Sequence, residues 1–229
     1  MSDAHDDAVL AAWRSNAAPW TRAVRSGGIE SRRLITDRAI VEAVLRQRPR
    51  EALDLGCGEG WLARALSAHG IDVTGVDAIA ELVEAARAAG AGERYLNLSY
   101  AQIAQGALDA RYDVAVCNFS LIGEYDVEAL VGALPALLGE DGRAIVQTLH
   151  PLAAGAELPY ADGWRAGSWA GCDGDFADPA PWYFRTLGGW FALLERCGLR
   201  VVELEEPTHP RTGQPASLIL IAQAKRGVP

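Results

Sequence analysis

The chain has 229 residues, the length of one α/β domain and tight for two. Half of its residues are hydrophobic and 22% are charged, so it can bury a core without disulfides or a structural metal. Thirty acidic against 21 basic residues give a net charge of -9, the wrong sign for a protein whose main partner is nucleic acid.

The opening Met1-Ser2-Asp3-Ala4-His5-Asp6-Asp7 is acidic, where a secretory leader is basic and then apolar. Residues 5–47 read as a helical segment, and Thr36 or Asp37 starts a helix with Ile40, Val41, Val44 and Leu45 on its inner face. A buried strand follows over 51–55 and a helix over 61–69, stopped by Gly70. Strand 71–76, helix 79–89 and strand 94–98 repeat the rhythm, as does strand 112–117. Asp126 is expected to cap a helix that runs to Leu138 and stops at Gly139, before a fifth strand over 144–149. From 150 to 185 the periodicity gives way to Gly, Pro, Asp and aromatic residues, read as a lid. Thr186 then caps a helix carrying Leu187, Trp190, Phe191 and Leu194, ended by Gly198. Strands 200–204 and 218–224, joined by the loop 206–216, complete the chain.

This alternation predicts an α/β fold: a seven-stranded, mostly parallel sheet with helices on both faces. Residues 1–229 are expected to form one domain, with a helical cap at 5–47 and an aromatic-rich insertion after the fifth strand at 150–185. No stretch is long and apolar enough to span a bilayer. Cys57, Cys117, Cys172 and Cys197 lie far apart without CxxC spacing. That argues against zinc and against a disulfide framework, and for reduced thiols in a cytoplasmic protein.

The search for chemistry starts beyond the carboxyl ends of the strands, where open α/β sheets bind ligands. The first strand ends in Asp54-Leu55-Gly56-Cys57-Gly58-Glu59-Gly60, and a helix follows directly. Glycines at 56 and 58 let the backbone turn sharply and let a ligand approach it. Asp77 ends the second strand, where an acid can accept hydrogen bonds from ribose hydroxyls. A dinucleotide loop needs a small residue where this chain has Trp61, and the Asp54 carboxylate would repel a diphosphate. The same carboxylate attracts the ammonium of an amino acid. The loop therefore fits a zwitterionic nucleoside better than a dinucleotide, and a nicotinamide-dependent oxidoreductase is disfavoured.

With these residues in place, the sequence resembles the class I S-adenosylmethionine-dependent methyltransferases of small molecules. Residues 52–60 match their first motif, Val73-Thr74-Gly75-Val76-Asp77 their second, and residues 112–117 and 141–146 their fourth and fifth strands. The likeness is good over residues 45–150 and looser beyond. It implies S-adenosylmethionine as cofactor, with Gly56 and Gly58 against the methionyl part and Asp77 on the ribose. Ala78 then flanks the adenine, and Asn118 lies near the methionyl group. Where relatives carry an Asp that reaches the adenine amino group, this chain has Ser99-Tyr100-Ala101, a departure in which Ser99 is the remaining acceptor. Some relatives pair the cofactor carboxylate with a basic residue ahead of the first strand; Arg25, Arg32 and Arg33 are the candidates, and Arg32 is favoured.

His150 ends the fifth strand on the same sheet edge, placed to take a proton from a hydroxyl. The alternative is a turn histidine before Pro151. Trp20, Phe119, Trp164, Tyr183, Arg185 and His209 are taken to line the substrate, with the lid aromatics forming a wall for an apolar or planar molecule. Asn118-Phe119-Ser120-Leu121 lacks the prolines of the amino-group methyltransferase motif, and no cluster of oxygen ligands supports a metal. The expected reaction is methyl transfer to a small molecule. An oxygen acceptor is preferred; nitrogen, carbon and carboxylate acceptors stay open, as does the oligomeric state. No nucleic acid and no membrane are expected as partners. The rival from another class is a non-catalytic S-adenosylmethionine-binding module or partner subunit.

Overall fold

The computed structural model describes residues 4–154 and 158–225. Its main sheet has seven strands: β1 (Glu51–Leu55), β2 (Asp72–Asp77), β3 (Arg94–Asn97), β4 (Tyr112–Asn118), β5 (Leu138–Leu149), β8 (Leu199–Glu205) and β9 (Ser217–Ala224). Their order is β3-β2-β1-β4-β5-β9-β8. The first five run parallel, and β9 runs antiparallel to both β5 and β8. The loop between β8 and β9 therefore opens on the same edge as the carboxyl ends of β1–β5.

The central strands β1, β4 and β9 are apolar on both faces because each face carries helices. Leu53, Leu55, Ala115, Val146 and Leu220 face one layer, which holds α5 (Tyr100–Ala104), α6 (Tyr125–Leu137) and α7 (Leu187–Arg196). Ala52, Val116, Ile145, Ile219 and Ile221 face the other, with α2 (Asp37–Arg46), α3 (Trp61–Ser67) and α4 (Ala80–Ala89). The strict alternation along β1 sends Asp54 to the second layer, beside α2 and α3.

One local expectation is corrected and two local features are new. The helix α2 starts at Asp37 as expected, but it is entered through a π-turn at Arg32–Thr36 closed by the Asp37 N–H on the Arg32 carbonyl. That turn buries Arg32, Ile35 and Thr36 together. Asp126 does not cap α6. The cap is Asp6, in α1 (Ala4–Ser26), whose buried carboxylate accepts from the backbone N–H of Glu124, Tyr125 and Asp126 at 2.9, 3.0 and 3.3 Å. A side chain at Gly123 would collide with it. Finally, α5 was unforeseen: Ser99 and Gln102 cap each other's backbone in a capping box that ends β3 cleanly. Thr186 does cap α7, accepting from Gly189 N at 2.9 Å.

Within the insertion, β6 (Gly163–Arg165) and β7 (Trp182–Phe184) form a separate antiparallel pair. Asn16 of α1 ties the insertion down, accepting from Ala177 N at 2.8 Å while it lies fully buried.

Candidate active site

The glycine loop is fixed from below. Gly56 N and Cys57 N donate to Val76 O at 2.7 and 3.0 Å, and Gly58 N donates to Asp77 Oδ2 at 2.9 Å. Gly56, Gly58 and Gly60 all have positive φ, a conformation that L side chains rarely adopt. At Gly56 a side chain would also strike Ser120 and the Tyr100 hydroxyl. Tyr100 donates to Ser120 O at 3.1 Å and Ser120 to Leu55 O at 2.6 Å, so the predicted cofactor residue Tyr100 braces the back of the loop. Glu59, unnoticed in the sequence, is buried and binds Arg25 and Arg64 at 2.8 Å each, tying the loop to α1 and α3. That ion pair engages Arg25, and Arg33 is exposed.

Asp77 sits at the end of β2 with one carboxylate oxygen on Gly58 N and the other on Ile79 N, each at 2.9 Å. Each oxygen keeps a lone pair for a further donor. Burial raises its pKa, against the pull of these backbone bonds. Ala78 follows, half-buried. Ser99 is half-buried, and its hydroxyl already accepts from Gln102 N at 3.2 Å.

Asp54 and Arg32 are the decisive pair. Asp54 is 1% exposed, and its Oδ2 has no hydrogen-bond partner. Burial, then the charge of Asp77, pushes its pKa up to about 7. Arg32 is 9% exposed; its Nε donates to Asp37 at 2.9 Å, its plane lies 4.6 Å from the Trp61 ring, and its Nη2 has no partner. A buried acid with one unpaired oxygen and a buried guanidinium with one unpaired nitrogen suit the ammonium and carboxylate of an amino acid. Trp61, which argued against a dinucleotide, thus becomes the platform for Arg32. Asn118, half-buried at the end of β4, adds an unpaired Oδ1. Phe119 follows at φ 52°, a strained position for an aromatic residue and of the kind that clusters at functional sites.

The comparisons with known proteins agree. Residues 30–204 match the profile of a family described as a methyltransferase domain. The chain belongs to the class I S-adenosylmethionine-dependent methyltransferases. It is 33% identical over 102 residues, 44% of its length, to the ubiquinone biosynthesis O-methyltransferase of Rickettsia conorii, covering 35% of that protein. It is 31% identical over 113 residues to the protein of the same description from Coxiella burnetii, with 48% of each covered. The chain thus spans a third to a half of the curated relatives it matches. In fold it is similar to Burkholderia thailandensis 1,6-didemethyltoxoflavin-N1-methyltransferase, solved with its namesake compound and S-adenosylhomocysteine, at TM-score 0.66 and 21% identity over 99% of this chain and 92% of that one.

The methyltransferase carries two aromatic groups beyond the loop. Trp13, Trp20, Trp169 and Phe176 form the first, joining α1 to the insertion; Trp169 stacks on Phe176 at 4.3 Å, and Trp13 meets Trp20 edge-on at 5.1 Å. A Cβ on Gly58 would lie 3.6 Å from the Trp20 indole nitrogen, so Trp20 stands directly over the loop. The second group is Trp164, Tyr183, Arg185 and Trp190. Trp164 donates to Glu124 at 3.0 Å and stacks on His5; Arg185 donates to Gly123 O and Glu124 O at 2.9 and 3.2 Å. Trp164, Tyr183 and Arg185, the predicted substrate residues of this group, hold the β6–β7 pair to the segment ahead of α6.

His150 is buried and both of its ring nitrogens are engaged. Leu152 N donates to Nδ1 at 3.3 Å, which leaves Nε2 to carry the hydrogen and donate to Glu206 at 2.8 Å. The ring's one in-plane lone pair, on Nδ1, is thus engaged by Leu152 N, and the geometry is that of a turn histidine joining β5 to the β8–β9 loop. His209 lies further along that loop, where its Nδ1 accepts from Arg211 N at 3.2 Å. Among the described residues no group of His, Cys, Asp and Glu is arranged to hold a metal, and no helix is long and apolar enough to cross a membrane.

Proposed function

We propose that the methyltransferase acts on a small, apolar or aromatic molecule, with oxygen as the preferred acceptor. The observation that carries this reading is the group Trp13, Trp20, Trp169 and Phe176, set over the cofactor loop by α1 and the insertion together. Such a surface suits a planar, uncharged ligand, and the acidic chain offers little to a phosphate backbone. The ubiquinone O-methyltransferases to which it is similar support oxygen; the N1-methyltransferase of similar fold keeps nitrogen as the second reading.

When bound, S-adenosylmethionine supplies an electrophilic methyl on a sulfonium leaving group. Asp54, Arg32 and Asn118 anchor the methionyl end and Asp77 the ribose. Trp20 and the insertion exclude water and align the acceptor. With His150 paired to Glu206, alignment carries the rate, and an acceptor that ionises readily needs no enzymatic base.

The test is transfer of isotopically labelled methyl to a panel of phenols, heteroaromatic amines and carboxylic acids, read by mass spectrometry. Label on phenolic oxygen is the expected result. Label confined to carboxylates or amines refutes the oxygen preference. S-adenosylhomocysteine binding without any labelled product, in the panel or in a cell extract, favours a non-catalytic binding module.

A further inference from the structure

Four neighbouring strands each put one polar residue on the sheet face that carries α2 and α3. Asp54 lies on β1 opposite Val116, Asn118 on β4 opposite Gln147 of β5, and Ser217 on β9 opposite Leu149. Period-two alternation fixes their common face: Ala52, Val116, Ile145, Ile219 and Ile221 all belong to the same core layer. The π-turn of Arg32–Thr36 joins this row, because Gln147 Nε2 donates to Thr36 O at 3.1 Å. Single π-turns of this kind recur at functional sites.

Every member of the row has an orphaned polar atom: Asp54 Oδ2, Asn118 Oδ1, Gln147 Oε1, Ser217 Oγ, Thr36 Oγ1 and Arg32 Nη2. Arg32, Asp54 and Asn118 answer to the zwitterionic end of the cofactor. Thr36, Gln147 and Ser217, no more than 2% exposed, do not. They extend the row from β4 toward β9, past the methionyl end. Isolated buried polar atoms are rare in folded proteins, and three on adjoining elements call for a shared partner.

We infer that Thr36, Gln147 and Ser217 form the polar end of the acceptor site and read hydrogen-bond donors on an uncharged substrate. The inference rests on the methyl-transfer reading and narrows its substrate class. All three orphans are oxygens, and the Thr36 and Ser217 hydroxyls can both accept a substrate hydrogen and donate to its oxygen. Gln147 Oε1 can only accept, since the amide nitrogen is used on Thr36. None of the three is charged, and the nearby Arg32 and Asp54 are taken by the cofactor's carboxylate and ammonium, so neither a substrate carboxylate nor an ammonium finds a free counter-charge. A phenol or alcohol hydroxyl, or an N–H, satisfies them.

The probes are phenol, resorcinol and 2-naphthol, each beside its methyl ether, titrated by NMR at millimolar concentration into protein saturated with S-adenosylhomocysteine. The phenols are expected to bind about 5- to 100-fold more tightly than the ethers, the range set by one buried hydrogen bond. Thr36→Val, Gln147→Met and Ser217→Ala each lower that preference while S-adenosylhomocysteine affinity stays within about threefold, since these atoms stand outside the cofactor's anchors. In the free protein Thr36→Val and Ser217→Ala leave the melting temperature unchanged or raised, because an orphaned atom is removed. Ethers that bind as well as phenols, phenols that do not bind, or variants that keep the full preference overturn the inference. So does a clear drop in melting temperature for Thr36→Val, which would show that its hydroxyl has a partner in the resting protein. Phenols that bind with this preference yet receive no methyl support the inference and refute the oxygen-acceptor reading. Phenols methylated at parental kcat/KM by all three variants do the reverse.

Discussion

Arg32 and Arg185 are the buried arginines among the described residues, and the fold uses them in opposite ways. Arg185 spends its guanidinium on the carbonyls of Gly123 and Glu124 and lies between the rings of Tyr183 and Trp190. Burial lowers its pKa, but the carbonyl dipoles meet its hydrogens. Arg32 has a similar aromatic setting, 4.6 Å from Trp61 and 5.8 Å from Trp20, yet keeps one nitrogen unpaired. Aromatic company and burial alone do not separate scaffold from site; hydrogen-bond satisfaction does. The Arg185 region is complete without a ligand, and the Arg32 region is not.

The contrast breaks most visibly at Arg185. Arg185→Ala removes two charge-assisted bonds and strands the Gly123 carbonyl, while Glu124 O keeps its bond from Glu128 N, a loss of about 3–5 kcal/mol. For a chain of this size that lowers the melting temperature by about 10 °C, readable by calorimetry. S-adenosylhomocysteine affinity, measured well below the transition, should hardly change; a large fall in affinity would make Arg185 part of the site.

Arg32→Met tests the other half. Removing the charged donor proposed for the cofactor carboxylate should weaken S-adenosylhomocysteine about 10- to 100-fold in a titration. The free protein should melt close to the parent, because the released Asp37 side chain is 33% exposed and hydrates. Loss of stability with intact affinity would reverse the roles of the two arginines.

Asp54 sharpens the comparison through pH. Its folded pKa of about 7 lies above the unfolded value, so the folded protein retains a proton that the unfolded chain has released. Asp54's contribution to stability is therefore present at acid pH, falls as pH rises from about 4, and levels off above about 7. The ammonium contact proposed for Asp54 needs the ionised form, so affinity should weaken by up to tenfold per unit as pH falls below about 7. S-adenosylhomocysteine should raise the melting temperature more at pH 8 than at pH 6, pH values about one unit either side of that pKa. An equal shift at both pH values in the parent, or an unaltered profile in Asp54→Asn, removes Asp54 from the ammonium site.

The smallest effect belongs to His150. Its nitrogens are satisfied, as Arg185's are, so His150→Gln should leave turnover on a phenol within about threefold of the parent. A general base contributes about 100-fold or more. A loss of that size at constant cofactor affinity would restore the imidazole as proton acceptor, with Glu206 orienting it.

The strand–helix alternation and the glycine loop were legible because period and turn chemistry are local. Asp54, Gly56, Gly58 and Asp77 needed only their places at strand ends. Even α5 was announced, by Ser99 three residues ahead of Gln102. Less accessible were the properties decided by partners distant in sequence. Nothing around His150 indicates Glu206, and nothing around Arg185 indicates Gly123. Gln147 offered one clue, a polar residue directly after the apolar run Ala144-Ile145-Val146 and still within the strand, but its orphaned oxygen emerges only once α2 and β9 are packed against it. The expected cap at Asp126 failed for the same reason, since a nearer acid lost to one supplied across the fold.

That cap also orders events in time. Synthesis delivers Asp6 early and the amides of 124–126 more than a hundred residues later, so the start of α6 stays unsealed until α1 returns to the assembled sheet. The same helix carries Trp13, Asn16 and Trp20, which hold the insertion and overhang the glycine loop. Closing the chamber and sealing α6 are therefore one docking step. The seal on α6 and the roof over the nucleoside cradle depend on one helix, and whatever loosens α1 loosens both.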